Sequence, residues 1–493
     1  METLIVGGGP AGLYAGLLIK KARPRDAIHL VERNPAGATY GWGVVFSDRT
    51  LNTFREADPK TAERISDSFV LWQAIDTHYR GQRIRCGGHS FAGLSRQKLL
   101  LILQERCREL GVQLSFEREL TDLSAFAGYD LVVAADGVNS LIRSAFAAAF
   151  RPSLAEGAAR YVWYGTERLL DAFTFLFREN EHGLFQAHAY PFDGTTGTFI
   201  VECAEEVWRA AGLDEADEAA SIAYCQALFA DFLQGRPLLS NRSLWSRFVT
   251  VKNAAWRHAN IILLGDAAHT AHFSIGSGTR LAMEGAISLA QSLSLAADLD
   301  EALNRYEMDR RPRVELLQAA AADSQRFFEN IRRYLHLDPL PFTTNLLTRS
   351  GRVQFDQLRV RDPEYVERVE RDFGPGEPAA RLVAAPPLFA PLELAGLRLA
   401  NRVALRLRPA GPAEDGLIGR ADSERWARQA ASGAALLLTE PVAVAAEGRI
   451  SPDCPGLYCA GHEEAWRALV AAVHAAGPAR IGLQLGHAGR RGA

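Results

Sequence analysis

The chain of 493 residues lacks the features that mark several large classes of protein. Its six cysteines (Cys86, Cys107, Cys203, Cys225, Cys454 and Cys459) form no C-x-x-C pair and have no histidines at zinc-finger spacing. That argues against a disulfide framework or a metal site and fits a reducing, cytoplasmic compartment. No apolar run reaches bilayer-spanning length. The apolar N-terminus has no basic leader and is interrupted by Gly7-Gly8-Gly9-Pro10, so it reads as a first strand and not as a signal peptide. A formal net charge of −3 with 23% charged residues gives no sign of a surface built for nucleic acid or anionic lipid. Internal repeats and low-complexity tracts are absent as well. These absences leave a small-molecule protein of two or three domains.

Short apolar runs alternate with amphipathic helical stretches up to about residue 375, the texture of an α/β fold. Residues about 151–254 differ, being rich in aromatic and β-branched residues; "DAFTFLFREN" and "GTTGTFIVEC" read as strands of an inserted antiparallel sheet. From Phe373 to Phe389, "FGPGEPAARLVAAPPLF" crowds proline, glycine and alanine together and reads as a linker, placed at 376–387. A second unit, 388–493, follows.

The N-terminal "METLIVGGGPAGLYAGLLIKKA" supplies strand, glycine turn and helix, with Gly7, Gly9 and Gly12 at G-x-G-x-x-G spacing. Such a turn lets a pyrophosphate sit on the helix N-terminus. A second apolar run, "AIHLVERN", ends at Glu32, twenty residues after Gly12, where a carboxylate can accept hydrogen bonds from a ribose; Arg33 follows it. Two more buried strands end in Asp136-Gly137 ("YDLVVAADGVNSLIR") and Gly265-Asp266 ("ANIILLGDAAHTAHFSIGSGTRLAMEGAISLAQSL"). With these three segments in order, the first 375 residues resemble the FAD-dependent aromatic hydroxylases of the para-hydroxybenzoate hydroxylase fold.

The resemblance implies FAD-binding parts at about 1–75, 95–150 and 255–300, a substrate-binding sheet at about 76–94 and 151–254, and C-terminal helices at about 301–375. It also implies that Arg96, opening a helix capped by Ser95, reaches the flavin phosphates. Asp266 would bond the ribityl or ribose region. The helix beginning near Gly276-Ser277-Gly278 would aim its N-terminus at the N1 and O2 edge of the isoalloxazine, where negative charge collects on reduction. Where many relatives place a proline and later an asparagine, this chain has Phe273-Ser274 and Arg280.

"YGWGVVFSD", "FQAHAYPF", "GTFIVEC" and "HFSIGSGT" narrow the resemblance to the aryl-CoA branch, the salicylyl-CoA and 2-aminobenzoyl-CoA hydroxylases, and less completely to an indole hydroxylase. In such enzymes NAD(P)H reduces FAD, oxygen forms a C4a-hydroperoxide, and an electron-rich ring carbon is attacked; the protein positions the ring and excludes water. Strand alternation puts Gln186, His188 and Tyr190 on one face, so His188 or Tyr190 is a candidate for bonding the substrate. His272 is a third candidate for the ring side, while His269 is expected to be structural and Tyr161, Trp163 and Tyr164 to be core or pocket wall. The function implied is NAD(P)H- and oxygen-dependent hydroxylation of an aryl-CoA thioester. A secondary-metabolite indole, or a flavoprotein without catalysis, stand as alternatives, and a homodimer is compatible with either.

The segment from about Leu388 to Ala493 resembles the start of the old yellow enzyme family, FMN-dependent reductases built on a (β/α)8 barrel. Three strands are legible, "RVALRL", "AALLLTE" and "RIGLQL". A whole barrel takes about 250 residues. The expectation is therefore a partial barrel that does not bind FMN or catalyse by itself, although Gln484, His487 and Arg490 match FMN-facing positions. Arg406 and Arg408 stand where the family has small and sulfur-containing residues.

Overall fold

The computed structural model describes residues 1–46, 48–373, 387–409 and 411–491. Residues 376–386 of the expected linker lie outside the described residues. The chain divides into two compact units, Met1–Tyr365 and Val366–Ala493. Among the described residues no helix is long and apolar enough to cross a membrane.

The first unit is organised by a six-stranded sheet in the order Arg257–His258, Ile261–Leu263, Leu131–Ala134, Glu2–Val6, Ala27–Val31, Gln113–Ser115. All neighbours run parallel except the first pair. Both faces of such a sheet must be covered, and the strand Leu131–Ala134 is accordingly apolar and buried at every position. Register brings Val6, Ala134 and Leu263 side by side, so the three segments that follow them emerge from one edge. This is the carboxyl edge, where α/β sheets place ligands.

The second sheet has eight strands, in the order Leu238–Leu239, Pro152–Thr166, Gly197–Ala204, Gly183–Pro191, Phe173–Asn180, Ile75–Tyr79, Gln82–Cys86, with Ser246–Asn253 also paired to Pro152–Thr166. Its pairings are antiparallel except that between Phe173–Asn180 and Ile75–Tyr79. Phe91–Ser95, expected within this sheet, pairs instead with Gly43–Phe46 and Val70–Trp72 in a small sheet of its own. Gly93 meets the large sheet by close approach and not by pairing, for a Cβ there would meet the Pro191 carbonyl oxygen at 2.3 Å.

The second unit holds three parallel strands, Ala404–Arg406, Leu436–Ala443 and Arg480–Gly486, in sequence order. They are the three read from the sequence. Two helices, Arg420–Ala430 and Ala460–Ala476, pack Trp426, Trp466, Leu469 and Val473 into a small core with Leu407 and Leu437. Both indoles find partners, Trp426 donating to the Arg408 carbonyl at 3.2 Å and Trp466 to that of Gly456 at 2.9 Å, as buried tryptophans require.

Candidate active site

The glycine turn is shaped by contact and not by flexibility. Gly7 has φ +111°, and a Cβ there would lie 2.2 Å from the Ala135 carbonyl oxygen; a Cβ on Gly12 would lie 2.0 Å from the Gly7 carbonyl oxygen. Strand, turn and helix are thus in backbone contact that only glycine permits. Gly9, the N-cap of helix Pro10–Ala22, makes no side-chain cap, and a Cβ on it would meet nothing within 4 Å. The first N–H groups of that helix therefore have no side-chain cap at an open edge, the arrangement that accepts an anion.

Glu32 is held by the loop it faces. Its Oε2 accepts from Gly8 N at 2.6 Å, and its Oε1 from Asn34 N and Nδ2 at 2.8 and 2.7 Å. A carboxylate has about four acceptor positions, so capacity for a ribose hydroxyl remains. Arg33 beside it is exposed. Asp136 uses Oδ2 to accept from Ile142 N at 3.2 Å, while its Oδ1 is buried with no partner among the described residues. Gly137 (φ +87°) and Gly265 (φ +62°) turn the chain away from the sheet edge, and a Cβ on Gly265 would press on Ala11 at 2.7 Å.

A cavity of about 500 Å³ opens at this edge. One side is formed by Gly9, Arg96, Gly137, Asp266 and Gly276 to Thr279. Arg96 opens helix Arg96–Leu110, whose Ser95 cap accepts from Lys98 N at 3.4 Å. Burial lowers its pKa, and Asp266 opposes that; the Asp266 carboxyl is in turn pushed up by burial, with Arg96 pulling it down. The helix Gly278–Leu295 begins here without a side-chain cap, because Ser277 Oγ turns back to the Ile275 carbonyl at 3.1 Å. A second uncapped helix N-terminus, with its positive end, therefore faces the same space.

The other side is aromatic: Tyr161, Trp163, Phe173, Tyr190 and Phe273, with Ile200. Strand register explains the set, since Trp163, Ile200, His188 and Phe175 lie in one row across the sheet and Tyr161, Glu202, Gln186 and Phe177 in the next. Tyr190 stacks against Phe173 and Trp72 at 5.3 and 6.3 Å, and its hydroxyl donates to the Gly43 carbonyl at 3.0 Å. Burial pushes its pKa up to about 12.

His188 and His272 share this neighbourhood but do not line the cavity. Phe273 stands in front of both, its ring 5.5 Å from His188 and 4.2 Å from His272. His188 Nε2 lies 3.2 Å from Glu202 Oε2, and both side chains are about 1% exposed. Burial pushes the imidazole down to about 3, helped by Arg349, and pushes Glu202 up to about 7. The imidazole is thus neutral, and burial favours the neutral form of the carboxyl it meets. His272 Nδ1 meets Ser274 Oγ at 2.8 Å, Ser274 Oγ meets Ser324 Oγ at 2.8 Å, and Arg349 Nε donates to Ser324 at 2.8 Å. Arg349 also lies over the rings of Phe175 and Phe328. His269 is buried against Trp256, as a structural residue would be.

Glu202 and Arg349 were not singled out in the sequence. Glu202 sits in phase with Thr198 and Ile200 on "GTFIVEC", so alternation placed it on the pocket face; nothing near Arg349 in sequence signals that it returns to the sheet. Gln484, His487 and Arg490 of the second unit are partly or wholly exposed, and His487 Nδ1 accepts from Gly489 N at 2.9 Å.

A dinucleotide flavin fits what is present: two uncapped helix N-termini, glycines a side chain would overfill, the unpartnered Asp136 Oδ1 and a cavity walled by aromatic rings. Comparison with known proteins agrees. Residues 1–321 match the FAD binding domain family, and residues 387–493 match the NADH:flavin oxidoreductase / NADH oxidase family. The chain is 41% identical to a salicyloyl-CoA 5-hydroxylase from Streptomyces sp, over 75% of this chain and 73% of that protein. It is 37% identical to a 3-hydroxy-4-methyl-anthranilyl-[aryl-carrier protein] 5-monooxygenase from Streptosporangium sibiricum, over 73% of this chain and 97% of that one. Among solved structures, tetrameric 2-methyl-3-hydroxypyridine-5-carboxylic acid oxygenase shares the fold, with a TM-score of 0.58 at 18% identity, covering 73% of this chain and 97% of the other. The chain therefore belongs to the FAD binding domain family and is an FAD-dependent aromatic monooxygenase.

Proposed function

We propose that the chain hydroxylates an amino- or hydroxy-substituted aromatic ring presented as a thioester, with a 2-aminobenzoyl or salicylyl group on CoA as the first candidates and NAD(P)H as reductant. The observation that carries this reading is a cavity that joins the flavin-side helix N-termini to an aromatic wall, on which Tyr190 Oη is already committed to the Gly43 carbonyl. FAD, when bound, supplies the two-electron and oxygen-activating chemistry. Tyr190 already donates its proton to Gly43, so toward a ligand its oxygen acts as an acceptor for a ring amino or hydroxyl group. That polarity orients the donor group and leaves the ring carbon ortho or para to it for attack. Tyr161, Trp163 and Phe273 exclude water from the reacting face. His188 and His272 act through Phe273, as positioning residues behind the wall.

The thioester is supported by the two relatives, named for a CoA-linked and a carrier-protein-linked substrate. A violacein-pathway relative, the protodeoxyviolaceinate monooxygenase of Chromobacterium violaceum, favours an indole-type substrate as the second reading. Purified FAD-loaded chain with NADH or NADPH separates them. Oxidation stimulated by 2-aminobenzoyl-CoA, with a product heavier by one oxygen atom, is expected. Stimulation only by free indoles, or by no aromatic, contradicts the first reading.

A further inference from the structure

The helix Gly278–Leu295 presents Gly278, Thr279 and Ala282 to the flavin cavity, and its opposite face lines a second depression of about 770 Å³. At 100° per residue, Arg280, Glu284, Ile287 and Gln291 fall on the side away from the cavity residues. The long helix Leu299–Glu329 forms the facing wall, and Ser350 to Arg352 closes one end.

Four guanidinium groups border this groove, from Arg280, Arg310, Arg313 and Arg352. Their acids do not balance them. Glu284 is shared, lying 2.9 Å from Arg280 and 3.1 Å from Arg310. Asp309 pairs with Arg313 at 2.9 Å, and Asp323 pairs with Arg326. Arg352 has no carboxylate partner among the described residues; its Nη1 donates to Ser277 Oγ at 3.2 Å. Burial, and then the neighbouring Arg280, push its pKa down, as expected of a cation placed beside another cation. The lining also includes an apolar ledge of Leu317, Ala320 and Leu316, the last with its side chain exposed, beside Ser288 and Gln291. A ligand here needs anionic oxygens for the arginine end and a flat apolar body for the leucine and alanine ledge. The volume is that of a metabolite site.

We propose that this groove binds the adenosine diphosphate end of a nucleotide, with the diphosphate at Arg352 and Arg313 and the base on the Leu316 and Ala320 ledge. Arginine forks suit phosphate oxygens, and an apolar ledge suits a purine face. Two nucleotides carry this group into the reaction proposed above, the reduced nicotinamide dinucleotide and coenzyme A; the inference rests on that reading for which of them the chain meets. The Arg352 to Ser277 hydrogen bond joins the groove to the helix terminus facing the flavin, so occupancy has a direct route to the reacting site.

Calorimetric titration of the full, FAD-loaded chain with ADP, with ADP carrying a further 2′-phosphate and with ADP carrying a further 3′-phosphate tests this without turnover, and a filled flavin site keeps ADP out of the primary cavity. Saturable binding is expected. Preference for the 2′-phosphorylated form identifies the phosphorylated nicotinamide dinucleotide as the source, preference for the 3′-phosphorylated form identifies CoA, and preference for ADP itself identifies the unphosphorylated nicotinamide dinucleotide. Arg313→Glu and Leu316→Glu change side chains that are 70% exposed and, at residue level, 76% exposed. Each is expected to weaken binding about tenfold or more while FAD content and melting temperature stay unchanged. Absence of saturable binding by all three nucleotides, or equal binding by the parent and both variants, overturns the proposal. A chain that binds them in this way yet hydroxylates no aryl thioester keeps the groove and loses the substrate reading. A chain that hydroxylates one with both variants unaffected in binding loses the groove alone.

Discussion

The two units both arrange parallel strands under helices, but they treat their strands differently. In the first, Leu131–Ala134 is buried along its length and the motif residues leave it at the carboxyl edge, where the cavity opens. In the second, no residue of Arg480–Gly486 is fully buried, Leu485 is 59% exposed and Leu438 on the central strand is 41% exposed. Arg406 and Arg408, both largely exposed, each hold Nε 3.9 Å from Glu440 Oε1. A parallel sheet is stable when both faces are covered, and a flavin ring needs a site that excludes water. The first unit offers both, a sheet buried on its faces and a cavity walled by aromatic rings. The proposed hydroxylation therefore belongs to the first unit, and changes in either unit test that difference.

The largest effect is expected at the glycine turn. In Gly12→Val the first carbon added falls 2.0 Å from the Gly7 carbonyl oxygen, and backbone cannot yield there as a side chain can. Purified protein is expected to carry less than about a tenth of the parent's flavin per chain by absorbance, a loss of more than about 1.4 kcal/mol in binding. Normal flavin content in this variant would mean that the cofactor does not use this turn.

Next is the aromatic wall. Phe273→Ala opens the cavity toward His188 and His272, and the expected result is uncoupling. NAD(P)H oxidation continues while hydroxylated product per reductant consumed falls several-fold, on the order of 1 kcal/mol in partitioning. Parallel measurement of oxygen consumed, peroxide released and product formed checks it. Tyr190→Phe removes one hydrogen bond to Gly43 and a polar atom of the cavity wall. A fall of about tenfold in kcat/KM is expected, the value of one hydrogen bond.

A smaller effect concerns pH. Glu202 has its carboxyl pushed up to about 7 by burial, above its unfolded value. Its contribution to stability is therefore full below the unfolded pKa and is lost as pH rises through about 7. His188, pushed down to about 3, runs the other way and contributes above its unfolded pKa, so its share persists across the neutral range. Glu202→Gln is expected to flatten the decline of melting temperature between pH 5 and pH 8 (about those limits), a difference of a few kcal/mol at most. Melting curves across that range that are parallel for parent and variant would remove Glu202 as the titrating group.

The smallest effect is expected in the second unit. His487→Ala with Arg490→Ala is expected to leave flavin content and aromatic hydroxylation within about a factor of two of the parent, because surface changes away from such sites cost little. A marked loss of either would show that the two units act together.

The sequence was informative where geometry is local. Glycine spacing, the strand ends at Ala134 and Leu263, and the Ser95 cap are features of adjacent residues, and each reappears as a backbone contact, a strand end or a cap. Alternation likewise set the faces of "FQAHAYPF", as the register shows. Depth was not legible, because it depends on what other segments lay over a face. Phe273 covers His188 from a loop some eighty-five residues on, and Arg349 arrives from a helix end still further away. The partners of Phe91–Ser95 were missed for the same reason, since the strand pairs with Gly43–Phe46 and Val70–Trp72, segments distant from it in sequence.

The most direct test of the central claim is a single-turnover experiment on the full, FAD-loaded chain. The flavin is reduced, mixed with 2-aminobenzoyl-CoA and heavy-isotope dioxygen, and the acyl group is analysed by mass. One labelled oxygen atom on the ring, formed in the parent and lost in Phe273→Ala in favour of peroxide, is the expected result. Unlabelled aromatic product, or a ring reduced without oxygen incorporation, would contradict the account.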